Sequence, residues 1–488
     1  MLEIIEDGGI PLVRVKPCAA EVDSDIVFEI VPAGPDTKYV AYSHVWADGR
    51  GNVHTNSLFK CQWRWLQECA QRCQTDSIMS SASPGEIVPF WINTFCVPRG
   101  SGQRVAELRT KSISMMPEIY RGPDIVLVLD RALENAGHMS LLEFGMRLKF
   151  CSWSRRVWTL HEGAVADNLY FRMALGLVGL RQNYYTMVRA KYPLRGENGW
   201  AILQGIEKEY IHAVFQSCLM INRFKASPRA TFFLTWKELQ KRSTSLPNDR
   251  YLVLGIINQV SKETLLRLQR TTLDKSDPDA AAQAKMKLIL LNTPVIPQSI
   301  VFTTDERFSE PGMQWALCKI GGQILQMDDH LTDGPRYVPG KGVLVKYKGW
   351  RIQTSVHDMV PSCFMYLKLE GTNAYPNRYK LGIWQTDERR KSFANLLPSL
   401  DPNAALSIVL GYLPDLEDSF MAYQLALLVE ELGKISTGLS EGTETHSVIH
   451  VRFVAVLRLY STRDGQESPS DLRASWVNDG LEQLWCVG

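Results

Sequence analysis

Three unbroken apolar runs, separated by helical patterns, leave the first third of this chain few folds to choose from. The clearest is "DIVLVLD", Asp124 to Asp130. A strand built from consecutive apolar residues has no face for water, so it must be covered on both sides. "KYVAYSHVW" predicts a second such strand over Tyr39 to Ser43, and "IVPFWINTF" a third over Ile87 to Phe95. Between these two, Ser57 to Gln74 carries Leu58, Trp65, Leu66, Cys69 and Cys73 on one helical face and ends at the breaker "SSASPGE". "VPRGSGQ" then leads into a helical segment that ends near Tyr120. Strand and helix alternating in this way specify a doubly wound, mostly parallel α/β sheet. A short helix over "VWTLHEGAVA", Val157 to Ala166, and a strand over "NLYFRM", Asn168 to Met173, complete an α/β domain spanning 36–175. Such sheets take ligands beyond the carboxyl ends of their strands, which gathers the loops starting at Ser43, Asn93 and Asp130 around one cleft.

Past Gly179 the pattern changes. "GWAILQGIEKEYIHAVFQSCLMINRF" and "RYLVLGIINQVSKETLLRL" have helical periods, with "KRSTSLPND", Lys241 to Asp249, as a capped break, so 176–330 is expected to be a helical region. Alternation returns in "VLVKYKGWRI", "RYKLGIWQT" and "HSVIHVRFVAVLRLY", and 331–488 reads as a mixed, strand-rich region. Three parts suit a chain of 488 residues at roughly 100–200 residues per domain. A net charge of +2 with scattered lysines and arginines offers no electrostatic footprint for nucleic acid or a membrane surface. No apolar run approaches the ~18 residues of a membrane span, and "MLEIIEDGG" lacks the basic flank and apolar core of a secretory signal. A cytoplasmic protein is therefore expected. Its ten cysteines fall at irregular separations, as buried reduced thiols do, and Cys61, Cys69 and Cys73 contain no CxxC pair, so packing rather than a metal site is expected of them.

The densest chemistry lies in "RRVWTLHEG", Arg155 to Gly163. Together with "YVAYSHVWADGRGN" and "FWINTFCVP", and with Arg109, Met116, Tyr120 and "VLVLD" at matching spacing, this stretch resembles the motifs of the fungal heterokaryon-incompatibility (HET) domain over Tyr39 to Phe171. Fainter echoes of longer proteins of that family continue in "KRSTSLPND", "EPGMQWA" and "GVLVKYKG". Two positions depart from the family's pattern: Asn93 stands where Asp is usual, and His161 where Gln is usual. The first departure removes a charge while keeping a hydrogen-bonding shape. The resemblance implies a cytoplasmic effector of programmed cell death in fungal non-self recognition, with a TIR-like or flavodoxin-like α/β layout. Some TIR domains cleave NAD, using a glutamate that follows a Trp-containing motif. On that pattern Glu162, one helical turn beyond Trp158, is the catalytic residue, NAD the substrate, and no separate cofactor or metal is required.

A carboxylate facing the ribose would stabilise the oxocarbenium-like charge that builds as nicotinamide departs. Trp46 or Trp158 would stack on a flat ring, Arg109 or Arg156 would meet a phosphate, and Ser43, His44 and Asn93 would line the loop ends. Each residue also has a plainer reading. A glutamate in a helix's first turn favours the helix dipole, Arg156 and Trp158 would lock the helix onto the sheet, Asn93 would brace a loop, and His161 would be solvated or in the core. Ser43 and His44 are neighbours on a strand and point to opposite faces, so they form no Ser–His pair while the strand continues. Against the enzyme stands a non-enzymatic module that recruits a signalling partner or self-associates.

Two further patterns are rejected. "GLSEG", Gly438 to Gly442, lacks the strand before Ser440 and the helix after it that a nucleophile elbow requires. "GRGN" at Gly49 and "GSG" at Gly100 lack the full dinucleotide glycine spacing and a helix expected to start on cue.

Overall fold

The apolar runs lie side by side in the computed structural model, which describes residues 1–16, 26–52, 54–76, 79, 86–137, 141–179, 228–271, 277–321, 336–370, 378–384, 392–411, 424–435, 448–462, 470–479 and 481–488. Seven strands make the first sheet: β1 (Pro11–Lys16), β2 (Val27–Pro32), β3 (Val40–His44), β4 (Phe90–Ile92), β5 (Ile125–Leu129), β6 (Leu169–Met173) and β7 (Gly176–Gly179). Their order is β2-β1-β4-β3-β5-β6-β7. β4, β3, β5 and β6 run parallel, with Val40 paired to Phe90 on one side and to Ile125 on the other. β1, β2 and β7 join at the edges as antiparallel strands. Every residue of β3, β4 and β5 is buried, as unbroken apolar strands require.

The helices of this unit are α1 (Leu2–Glu6), α2 (Lys60–Thr75), α3 (Asn93–Cys96), α4 (Gln103–Ser114), α5 (Met116–Arg121), α6 (Arg131–Glu134), α7 (Leu141–Phe150), α8 (Ser152–Arg155), α9 (Val157–Val165), α10 (Pro228–Lys241), α11 (Asp249–Ile257) and α12 (Lys262–Arg270). Alternation along β3 shows which of them cover each face. Tyr42 hydrogen-bonds the Leu66 carbonyl of α2, whereas Tyr39 donates to Ile119 of α5 at 2.9 Å and Ser43 to Glu162 of α9. Two expectations shift here. The buried face of α2 carries Trp63, Leu66, Cys69, Ala70 and Cys73, while Trp65 is half-buried beneath the Arg50 guanidinium, 4.6 Å from its ring centroid. The strand expected to reach Phe95 stops at Ile92, because the Asn56 amide donates to the carbonyls of Thr94, Phe95 and Val97 and curls the chain into α3.

The chain divides into two compact units, Met1–Lys275 and Ser276–Gly488, and not at residues 175 and 330. β1 and β2 precede residue 36, yet β1 pairs with β4; α11 packs on α9 and α12 on α4, so these helices belong with the sheet. The expected helix over "GWAILQGIEKEYIHAVFQSCLMINRF", and "GLSEG" with Ser440, lie outside the described residues. Among the described residues no helix is long and apolar enough to cross a membrane.

The second unit holds α13 (Pro278–Asn292) and ten strands: β8 (Arg336–Val338), β9 (Gly342–Tyr347), β10 (Gly349–Ile352), β11 (Met365–Leu369), β12 (Arg378–Ile383), β13 (Leu406–Leu410), β14 (Gln424–Ile435), β15 (Val448–Ser461), β16 (Leu472–Trp476) and β17 (Gln483–Val487). The strand-rich reading is refined by one pairing: β12 lies against β11 and also against β15, from Tyr379↔Ser461 to Ile383↔Leu457. The run β12-β11-β16-β10-β13-β14-β15 thereby closes on itself around Trp350, Leu367, Leu381, Ile408, Leu428 and Leu457. Closure leaves no free strand edge in that ring. β15 also carries β17, β9 and β8 outward from its first half.

Candidate functional site at the carboxyl ends of the first sheet

β3 ends in Ser43 and His44, and its two faces lead to two separate polar clusters. On the α9 face Ser43 Oγ donates to Glu162 Oε2 and accepts from Trp153 Nε1 at 2.6 Å. The Tyr120 hydroxyl also hydrogen-bonds the Glu162 carboxyl, while donating to the Tyr42 carbonyl at 3.1 Å. Ser43, Trp153 and Tyr120 are fully enclosed and Glu162 is 3% exposed. Burial pushes the Glu162 carboxyl up to about 7, against the lowering effect of its hydrogen bonds to Ser43 and Tyr120 and of the Arg242 and Arg156 charges.

Glu162 was expected on a cleft and in a first helical turn; it is neither. α9 starts at Val157, which puts Glu162 in the second turn, and the helix is buried from Thr159 to Val165. Gly163 permits this depth, since a Cβ there would stand 2.9 Å from Trp153 Cη2. His161 is a core residue: its Nδ1 meets the Trp158 carbonyl at 2.7 Å, its ring lies edge-on to Tyr120 at 5.5 Å, and burial lowers its pKa to about 4.

The opposite face of β3 leads to Trp46 and Asn93. His44 Nε2 lies 3.2 Å from Thr94 Oγ1, which itself donates to the Arg50 carbonyl at 2.6 Å, so the imidazole is the donor. Burial, then the nearby Arg50 charge, lower His44 to about 3, so the ring is neutral and faces inward. Trp46 Nε1 donates to Asn93 Oδ1 at 2.9 Å. The Arg99 guanidinium covers the Trp46 ring, 4.3 Å from its centroid. Gly51 backs the indole so closely that a Cβ would stand 2.3 Å from Trp46 Cβ. Arg109 grips the neighbouring loop, its Nε donating to Pro98 O at 2.8 Å and its Nη2 to Gly100 O at 3.0 Å. At the third loop Asp130 caps α6, accepting from Ala132 N at 3.0 Å, and also accepts from Trp153 N at 2.9 Å.

Arg156 is the N-cap residue of α9, and Trp158 stands on the helix's far flank. Trp158 Nε1 donates to Asp249 Oδ2 at 2.7 Å, so the indole faces α11 while Glu162 faces β3, although the two residues are one turn apart. "KRSTSLPND" causes this separation. Ser243 pairs with the backbone entering α9, its N–H donating to Arg155 O at 2.6 Å and its carbonyl accepting from Val157 N at 3.1 Å. Arg242, 3% exposed, donates to Arg156 O at 2.9 Å and to Thr159 Oγ1 at 3.1 Å.

No family model, curated protein or solved structure matches this chain. Ser43 and Glu162 are brought together, as are Trp46 and Asn93; Arg109 holds a neighbouring loop, His44 meets Thr94 and Trp158 meets Asp249. Trp153, Arg99 and Arg242 were not singled out from sequence. Trp153 is only nine residues before Glu162, but nothing in "CSWSRR" reveals that its indole reaches Ser43, 110 residues away.

Proposed function

We propose that the first unit is an effector domain of the heterokaryon-incompatibility type, with a TIR-like or flavodoxin-like sheet, acting in fungal non-self recognition and programmed cell death by cleaving NAD at the ribose–nicotinamide bond. The observation that supports this most is a carboxyl titrating near neutrality at the carboxyl end of the central strand, joined to Ser43 and Tyr120. Only the ionised form of Glu162 stabilises an oxocarbenium charge, and nicotinamide leaves as a neutral molecule without a general acid. Ionisation also sets a charge in a site that disfavours it, so the reactive form is the one least comfortable in its enclosure. Access to the ribose requires the carboxylate to emerge from between β3 and α9.

That enclosure supports a second reading. A neutral Glu162 bonded to Ser43 and Tyr120 fastens α9 to the sheet, and the unit then signals as a non-enzymatic module that recruits partners or self-associates. Nicotinamide release from NAD by the full chain, beside Glu162→Gln, separates the two. Glutamine is the better test than alanine, which would leave a cavity and strand the Ser43 hydroxyl.

A further inference from the structure

Arg99, in the loop that follows α3, and Arg109, on α4 and bonded to Pro98 and Gly100 on either side of Arg99, bring two guanidinium groups to one loop, and among the described residues neither has a carboxylate partner. Arg99 lies flat on Trp46, with its Nε enclosed and unbonded. Arg109 is held by two carbonyls through Nε and Nη2, which leaves Nη1 uncommitted. The two charges are near enough that Arg109 adds to burial in disfavouring the charged form of Arg99. Keeping two like charges together with no counter-ion costs stability, and an anion between them reverses that cost.

The surroundings fit such an anion. The pair stands beyond the carboxyl ends of β3 and β4, where parallel sheets take their ligands. Gly100 and Gly102, at φ +123° and +114°, have nothing within 4 Å of where a Cβ would be, so the loop is open to close approach. α4 begins immediately afterwards at Gln103, contrary to the expectation that no helix starts on cue at "GSG", and it adds the positive end of its dipole.

We propose that Arg99 and Arg109 form a binding site for a phosphoanion of the diphosphate class. Two planar guanidiniums match two linked phosphoryl groups in charge and in fork geometry, better than they match one phosphate. Trp46 orients Arg99, and the carbonyls of Pro98 and Gly100 orient Arg109. The site requires no chemistry at Glu162.

The test is calorimetric titration of the full chain with inorganic pyrophosphate and, separately, with ADP-ribose. Wild type and Arg104→Gln, an exposed α4 arginine paired with Glu6, are expected to bind with an affinity that falls as salt rises. Arg99→Gln is expected to weaken binding by about tenfold or more, in a chain that still unfolds cooperatively. Arg99→Lys should recover part of the loss, because it restores charge without the fork. Equal binding of both ligands would mark a site for the bare diphosphate, and tighter ADP-ribose binding a site for a nucleotide; both support the proposal. Wild-type affinity in Arg99→Gln, or no binding of either ligand, overturns it. Glu162→Gln is expected to bind as wild type does, so a failure of NAD cleavage leaves this result intact.

Discussion

Glu162 is the residue through which the stability of the first unit responds to pH. Its carboxyl titrates at about 7 in the folded chain, against 4.5 without the fold. Because the folded value is the higher one, the native state holds a proton that the unfolded chain has released between those two pH values. The stabilisation this brings is complete below about pH 4.5 and is lost as pH rises through about 7. Glutamine mimics the neutral acid and has nothing to lose. Glu162→Gln is therefore expected to match wild type near pH 4.5 and to exceed it at pH 8, by roughly 3 kcal/mol at most. Urea midpoints at both pH values check this, and a gap of the same size at each would show that Glu162 is not the titrating group. Asn93 matters at the same scale. Its Oδ1 accepts from the Trp46 indole, a role that needs an acceptor and no charge.

At the scale of elements, the segment from Arg242 to Asp249 determines how α9 is presented. It adds a backbone pairing at Ser243, a buried guanidinium at Arg242 and a side-chain anchor at Asp249. Arg242 is the strongest of these. Replacing it with methionine removes the buried hydrogen bonds of the guanidinium to the Arg156 carbonyl and the Thr159 hydroxyl, and a loss of about 2–3 kcal/mol is expected. Trp158→Phe, which removes the bond to Asp249 and part of the ring packed against His161, is expected to cost about 1–2 kcal/mol. Chemical denaturation of both variants measures these losses, and an Arg242→Met change that costs less than Trp158→Phe would reverse the order of importance assigned here. β3 and β5 were legible in the sequence because an unbroken apolar run fits few environments. β4 was expected from Ile87 to Phe95 and runs only from Phe90 to Ile92, three residues shorter at each end; its stop depends on Asn56, more than thirty positions earlier. For the site, the residue types were legible and their orientation was not: Ser43 and Glu162 are 119 positions apart, and no local pattern shows that Trp153 and Tyr120 close around them.

For the whole molecule, the sequence patterns separated helix-rich from strand-rich stretches, but the true division follows packing. α10 to α12 look like a region of their own by period and belong to the first unit by contact. Closure of the second sheet rests on β12 meeting β15, a pairing that alternation along either strand does not specify. Two compact units with separate cores should unfold in two calorimetric transitions. Glu162→Gln at pH 8 is expected to raise one of them and leave the other in place; a shift of both together would mean that the units unfold as one.

Whether Glu162 is the reactive carboxyl of an NAD-cleaving effector is tested by the pH profile of nicotinamide release by the full chain. Release by wild type that climbs through about pH 7, with none from folded Glu162→Gln, is the expected result. Release by Glu162→Gln equal to wild type, or none by folded wild type at any pH, would contradict the claim, and the latter would leave the recruiting module as the account of this domain.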